Sequence, residues 1–436
     1  MKPINVGLLG LGTVGGGTVN VLKRNAVEIS RRAGRQIVIT RASAKDLGKN
    51  RICDTHGINL STDPMDIIND PTIEIVVELI GGTDFVKELL LKAIENGKHV
   101  VTANKSLIAL HGNEIFAKAS KKGVIVAFEA AVAGGIPIIK AIREGLSGNQ
   151  IQWLAGIING TGNFILTEMR DKGRDFYDVL AEAQTLGYAE ADPTFDVEGI
   201  DAGHKLTILA SIAFGIPLQF DKVYTEGISR ITRLDVQYAE QLGYRIKHLG
   251  IARNTADGIE LRVHPTLIPE RRLIANVNGV MNAVLVKGDA VGASLYYGAG
   301  AGAEPTASSV VADIIDVVRA LTSDPENRVP HLAFQADAIA DIPVLKSDCF
   351  KTSYYLRLNA EDKPGVLADV TRILADHHIS IEAIIQKEPL RDETAIPIIL
   401  LTQITLEKEM NAAITKIEAL KTVTGKVNRI RMETLG

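Results

Sequence analysis

The sequence predicts an α/β protein of several domains. It opens with a doubly wound parallel sheet and closes with a smaller βαββαβ module. Three observations carry that expectation. A short apolar strand, Ile4 to Leu9, runs straight into Gly10-Leu11-Gly12-Thr13-Val14-Gly15 and then into helical spacing. Strand-like and helix-like patterns alternate from there to about residue 130. From Tyr354 to Met432 the order becomes strand, helix, strand, strand, helix, strand. At 436 residues the chain is too long for one core. Charged residues make up 23% and hydrophobic ones 46%, an ordinary globular balance. The net charge of −4, with no block of like charge, argues against a nucleic-acid partner. The apolar runs are broken well short of a membrane span. The first ten residues read as a strand entering a turn rather than a cleaved signal. Cys53 and Cys349 match no metal or redox spacing. A cytoplasmic protein without membrane contacts is expected.

In the setting of strand, turn and helix, the three glycines have separate uses. Gly10 permits the tight turn, Gly12 lets backbone approach a pyrophosphate, and Gly15 allows helix and strand to pack closely. The helix N-terminus attracts the phosphates. Gly10, Gly12, Thr13, Val14 and Gly15 are therefore the expected cofactor turn. Further strands are expected at Gln36–Thr40, Ile73–Leu79, His99–Thr102 and Val124–Phe128. Helices are expected at Pro64–Asn69, Asp84–Asn96 and Asn113–Lys122. Together they make a Rossmann domain. After the second strand comes Thr40-Arg41-Ala42-Ser43-Ala44-Lys45, with no acid until Asp46. An acid there would suit the ribose hydroxyls of NAD, whereas Arg41, Ser43 and Lys45 suit a 2′-phosphate, so NADP is favoured over NAD. The plainer alternative is a solvated basic loop. Thr102 and Lys105 lie at the carboxyl end of a strand, where ligands of such sheets bind.

The next segment, Glu129 to Pro137, reads as a hinge, or as a hard-cation site built from Glu129 and freed carbonyls. Asn159-Gly160-Thr161-Gly162-Asn163 links an apolar strand to a helix, Phe164–Arg170. Asp175 stands where an N-cap belongs, and Gly187 closes the helix that follows. The chain then enters Glu190–Lys205, which holds five carboxylates, a histidine and a lysine in sixteen residues. From Ile200 onward no helix face is wholly polar, which is the pattern of a buried helix. Asp201 and Lys205 lie four apart on one face. A surface ion pair fits poorly there, because charges on a buried helix are costly without a partner or a task.

Taken together, the glycine turn, Thr102–Lys105, Asn159–Asn163, Glu190–Lys205 and Gly298–Thr306 resemble homoserine dehydrogenase over roughly the first 320 residues. The resemblance implies reversible reduction of aspartate 4-semialdehyde to homoserine by NAD(P)H. It implies Lys205 as proton donor to the nascent alkoxide and Lys105 as a second lysine near substrate and nicotinamide. It implies Glu190 and Asp201 as substrate carboxylates. Asp196 assists or simply caps a helix. Gly187 and Gly302 become further cofactor contacts. A structural sodium ion is implied at Glu129 and the backbone oxygens of Val132, Gly134 and Ile136, as is a homodimer or homotetramer. His204 points away from Lys205 on the helix and reads as packing. The C-terminal pattern, with Asp362-Lys363-Pro364-Gly365 leading into its first helix, resembles an ACT domain, for which threonine is the expected feedback effector. A ferredoxin-like appendage without a ligand is the plainer reading.

The expected division is a nucleotide domain at 1–130 plus a returning helix at 305–322, and a catalytic and dimerisation domain at 131–304. A linker at 323–352 and a regulatory domain at 353–436 follow. A different semialdehyde or hydroxy-acid oxidoreductase is the main rival. It would need a cysteine nucleophile or a His–Asp pair, and neither is set within a motif here. A catalytically dead amino-acid sensor would have no use for the intact Glu190, Asp201 and Lys205.

Overall fold

A computed structural model describes residues 2–322, 324, 328–386 and 395–436. Its first 127 residues alternate as β1 (Ile4–Leu9), α1 (Thr13–Arg24), α2 (Ala26–Ala33), β2 (Ile37–Ser43), β3 (Asn59–Ser61), α3 (Met65–Ile68), β4 (Ile75–Glu78), α4 (Asp84–Glu95), β5 (His99–Thr102), α5 (Lys105–Lys122) and β6 (Val126–Ala127). The strands form one sheet in the order β3-β2-β1-β4-β5-β6, parallel throughout. The order reverses between β1 and β4, which opens a crevice at their carboxyl ends. Two departures from the expected elements have local causes. The three-residue edge strand β3 is too short to carry a pattern. Helix α5 begins eight residues earlier than its spacing suggested, because Asn104 caps it by accepting the Leu107 N–H at 3.1 Å. Gly112 inside that helix is no breaker, since a Cβ there would meet Leu218 Cδ1 at 2.5 Å.

The middle of the chain contributes α6 (Ile138–Lys140), β7 (Ile151–Ile157), α7 (Gly160–Lys172), α8 (Phe176–Thr185), α9 (Thr194–Val197), α10 (Ile200–Phe214), β8 (Tyr224–Thr225), α11 (Arg233–Gln241), β9 (Tyr244–Thr255), β10 (Gly258–Pro269), β11 (Met281–Gly288), β12 (Gly292–Ala299) and α12 (Ala303–Ala320). Asp175 stands at the N-cap of α8 but makes no capping bond. Instead of one helix through Ile139, the chain takes a 3-10 turn at Glu129–Ala131, then α6, then a π-type turn at Ala141–Gly145. Of the expected linker, residues 323 and 325–327 lie outside the described residues. The C-terminal part adds β13 (Lys351–Glu361), α13 (Val366–Asp376), β14 (Ile381–Gln386), β15 (Ala395–Thr402), β16 (Thr405–Leu406), α14 (Glu407–Glu418) and β17 (Val423–Met432), which is the expected βαββαβ order with one extra short strand.

These elements gather into two compact units. The first comprises Met1–Gly160, Asp201–Asp221 and Val280–Ile342. It holds the parallel sheet, the antiparallel strands β12-β11-β7 and helix α12, whose Val310, Ile314 and Val318 join the core of Ile4, Val6, Leu8 and Val77. Helix α12 reaches α1 so closely that a Cβ on Gly17 would meet the Ala303 carbonyl oxygen at 2.4 Å. The second unit comprises Thr161–Ile200, Lys222–Gly279 and Pro343–Gly436. Its strands run β9-β10-β17-β13-β15-β14. The βαββαβ module therefore shares a sheet with the long β9–β10 hairpin through the parallel pairing of Thr266 with Arg431 and Leu267 with Met432. Among the described residues, no helix is long and apolar enough to cross a membrane.

Candidate active site

The glycine turn has the geometry its spacing requires. Gly10 adopts φ 100°, and a Cβ there would strike the Leu79 carbonyl. A Cβ on Gly15 would lie 2.1 Å from the Gly10 oxygen, whereas one on Gly12 would meet no protein atom within 4 Å. The backbone at Gly12, at the N-terminus of α1, is thus open to approach by a ligand. Thr13 and Val14 open that helix. Strand β2 carries on past Thr40 to Ser43, whose carbonyl accepts the Gly10 N–H at 3.0 Å. Arg41 lies within the strand, its Nε 2.5 Å from Asp70 Oδ2, and Lys45 is exposed beyond its end. The cation that touches the turn is Arg51, which donates to the Leu11 carbonyl at 3.1 Å. Its place in an irregular loop gave no sequence signal. Glu78, fully buried at the end of β4, accepts the N–H groups of Ile80 and Gly81 and the Thr102 hydroxyl at 2.6 Å. It thereby shapes the loop at the point where the sheet reverses.

Beside this crevice stands a cluster centred on Asp201, in the first turn of α10 and almost wholly buried. One carboxylate oxygen lies 2.7 Å from Lys205 Nζ and the other 3.2 Å from Lys105 Nζ. Asn159 donates to it at 2.9 Å. Lys205 also donates to the Ile158 carbonyl at 2.7 Å. Burial opposes ionisation of Asp201, yet Lys205, and then Lys105, outweigh it and hold the carboxyl at about 2. Two ammonium groups around one carboxylate leave these three side chains with a net positive charge, which suits an oxygen that gains negative charge. Lys105 reaches the cluster because it is the first residue of α5, directly after β5. Lys205 reaches it because the i,i+4 spacing of a helix stacks it on Asp201. His204 lies on another face, edge-on to Phe220 and 3.1 Å from the Ser106 hydroxyl. Burial lowers its pKa to about 4, so its ring is neutral at neutral pH. Asn159 and the Ile158 carbonyl come from the two-residue link between β7 and α7, far from α10 in sequence, and no local pattern assigns either a role.

The remaining candidates are placed as follows. Glu190 is exposed in the loop after α8, and its carbonyl accepts from Gln184 at 3.0 Å. Asp196 lies in α9, and Gly187 takes φ 74° just past the end of α8. All three are in the second unit. In the first unit, Gly302 caps α12 with φ 130°. The buried Glu129 accepts backbone N–H groups from Ile139 and Lys140, each at 2.8 Å, and its own N–H donates to Asp313 at 2.8 Å. Burial is the main cause that lifts the Glu129 carboxyl to about 7, against those backbone bonds. Asp313 beside it is pushed up as well, by burial and then by Glu129. Around it, Val132 and Ile136 are buried, Ala133 has φ 52° and Gly134 φ 36°. The loop is thus wound irregularly about a buried carboxylate on which the charges of Arg143 and Lys140 act only weakly against burial. Each Glu129 oxygen keeps a second lone pair beyond its amide bond, so the donor set fits a hard cation.

Comparison with known proteins gives a consistent result. Residues 10–129 match the homoserine dehydrogenase NAD-binding domain, residues 137–315 the homoserine dehydrogenase family, and residues 354–420 the ACT domain. A homoserine dehydrogenase of Pseudomonas aeruginosa is 69% identical over 435 residues, covering 100% of both chains. The crystal structure of a homoserine dehydrogenase from Thiobacillus denitrificans superposes with a TM-score of 0.95 at 68% identity, covering 100% of this chain and 99% of that one. A hyperthermophilic archaeal homoserine dehydrogenase in complex with NADPH superposes with a TM-score of 0.62 at 25% identity, covering 72% of this chain and 98% of that one.

Proposed function

The chain belongs to the homoserine dehydrogenase family, and from that membership we propose that it reduces L-aspartate 4-semialdehyde to L-homoserine, reversibly, with NADPH as the favoured donor. The observation that carries this reading is the pair of lysines on one buried carboxylate, beside the ligand-binding edge of a parallel sheet. When bound, the nicotinamide supplies a hydride to the aldehyde carbon. The chain must then stabilise and protonate the oxygen left behind. Lys205 gives that oxygen its proton and becomes a neutral amine until solvent restores it. Lys105 contributes a second positive charge, and Asp201 fixes both ammonium groups while accepting from Asn159. Glu190 meets the substrate's own ammonium, together with Asp201, and Asp196 supports the same segment.

The glycine turn at Gly10, Gly12, Thr13, Val14 and Gly15 holds the pyrophosphate on the N-terminus of α1, with Thr102, Lys105, Gly187 and Gly302 as further contacts. NADPH rather than NADH is supported by the bases Arg41, Lys45 and Arg51, by Ser43, and by the NADPH bound in the archaeal relative. Glu129 and the carbonyls of Val132, Gly134 and Ile136 would hold a sodium ion whose task is structural. Residues 131–304 supply the contacts of a homodimer or homotetramer. The ACT domain receives threonine as a feedback effector, and threonine that changes neither turnover nor assembly would remove that part of the reading. The unpaired Cys53 and Cys349 accord with a reducing, cytoplasmic setting. The direct test follows NADPH oxidation with aspartate 4-semialdehyde. The native chain should turn over, and Lys205→Ala should lose about 10²–10⁴-fold in kcat. No turnover by the native chain overturns the reading, and full turnover by the variant overturns the assignment of the acid.

A further inference from the structure

We propose that Arg431, in the last strand of the ACT domain, is a positioning residue for the segment Glu190–Gly199. It acts through Glu226. The proposal rests on the reading above that this segment receives the substrate.

The route is built from contacts within the second unit. Arg431 is fully buried. Its Nε donates to Glu407 at 2.8 Å, and its Nη2 donates to the other oxygen of the same carboxylate. Glu407 in turn accepts from the Tyr354 hydroxyl at 3.1 Å. Held in this way by two elements of the ACT domain, the guanidinium presents Nη1 to Glu226 at 2.7 Å and stacks over the Tyr224 ring at 4.8 Å. Glu226 also accepts from the Tyr224 hydroxyl at 2.7 Å. The backbone that follows Glu226 is the surface on which the end of the segment rests. The Ile228 N–H donates to the Val197 carbonyl at 2.9 Å, and the Ser229 hydroxyl to Glu198 at 2.7 Å. Gly227 packs so tightly that a Cβ there would lie 2.3 Å from Glu198 Oε2 and 2.7 Å from the Val197 oxygen. His248 closes the arrangement. Its Nε2 is 2.9 Å from the Glu226 carbonyl, and the same ring would meet a Cβ on Gly199 at 3.2 Å.

Gly199 leads directly into α10, whose second residue is Asp201. Glu226 is only partly buried, and the charge-assisted bond from the fully buried Arg431 is what fixes its carboxylate beside Tyr224; without that bond the carboxylate is free to turn toward solvent. The strip at Glu226–Ser229 would then shift, and a small shift suffices to misplace a substrate-binding carboxylate. The ACT domain is thus part of the support of the substrate segment, besides any effector it binds.

The test compares the full-length native chain with Glu226→Gln and Arg431→Lys. Hydrogen exchange of the Ile228 and Glu198 amides should quicken in both variants. In Glu226→Gln the KM for aspartate 4-semialdehyde should rise about tenfold, while the KM for NADPH stays as in the parent. Ser229→Ala, which removes only the partly exposed bond to Glu198, should show the same split in smaller measure. It serves as the deciding variant if the other two fail to fold. Unchanged exchange with an unchanged substrate KM overturns the proposal, as does an equal rise in both KM values. If the native chain does not turn over the semialdehyde, the functional reading fails on its own, and exchange at Ile228 and Glu198 still decides whether Arg431 positions the segment.

Discussion

Two buried carboxyl groups of the first unit titrate in opposite directions, and each sets a stability that can be read against pH. Asp201 lies below its ordinary 3.8, at about 2, because Lys205 and Lys105 outweigh the cost of burial. Its folded value is the lower one, so its contribution is complete above about pH 4 and fades as pH falls through 2, with a size of about 2 kcal/mol. Chemical denaturation across pH should therefore show Asp201→Asn less stable than the parent at pH 7, with the gap closing below pH 4. A gap that persists at pH 2 would show that the loss is one of packing and not of charge. Glu129 is the reverse case, lifted from 4.5 to about 7 mainly by burial. Between those values the folded chain keeps a proton that the unfolded chain releases. Stability should then fall as pH rises through the window, by about 3 kcal/mol, unless a cation neutralises the carboxylate. Asp313 beside it adds to the same slope. Melting temperatures in sodium and in tetramethylammonium salts should agree at pH 5 and separate at pH 8, with sodium the higher. Glu129→Gln should abolish the difference.

At the scale of elements, the glycines around α1 separate a ligand-facing position from a packing one. A Cβ on Gly12 meets no protein atom within 4 Å, whereas one on Gly17 runs into the backbone of Ala303. Gly12→Val should leave thermal stability close to that of the parent and weaken NADPH binding in a titration. Gly17→Ala should cost about 1–3 kcal/mol of stability by forcing α1 and α12 apart. Equal effects of the two changes on melting would remove the distinction. These helices also mark how far the sequence could be read. Elements with an uninterrupted period, such as β1, β5 and α10, were legible with their ends nearly in place. So was the stacking of Lys205 on Asp201. Features that depend on a distant partner were not. The pairing of Arg41 with Asp70, the reach of Arg51 to the turn and the bond from Asn159 to Asp201 join residues 29 to 42 positions apart, far beyond any local window. The long β9–β10 hairpin carries Glu260, Arg262 and His264 on a strand buried along its whole length, so its polar residues concealed a core strand.

At the scale of the whole molecule, that hairpin changes what the C-terminal module is. The sequence reads as a regulatory domain hung on a linker, but β17 pairs with β10 in parallel, and buried charges stand on both sides of the join. Arg431 meets Glu226 and Glu407, and Arg262 meets Glu433 at 2.6 Å. Arg357 of β13 holds Asp235, the acidic partner of the Thr232 cap in the first turn of α11, at 2.6 Å. Cutting the chain after residue 352 would bare the edge of β10 and leave Arg262, Glu226 and Asp235 without these partners. Exposed edges template aggregation, and Asp235, which is buried, would lose its guanidinium partner at a cost of about 3–5 kcal/mol, whereas Arg262 keeps Glu260. The truncated chain should therefore be recovered mainly as aggregate. Residues of the second unit, including the segment 190–199, should be cleaved by protease under conditions in which the full chain resists. A domain attached only through its linker would instead leave a soluble, protease-resistant remainder with native turnover. Size-exclusion chromatography and limited proteolysis of the two chains, side by side, distinguish the outcomes. A soluble, active 1–352 chain would mean that β10 tolerates a free edge and that the shared sheet contributes little to holding the substrate segment.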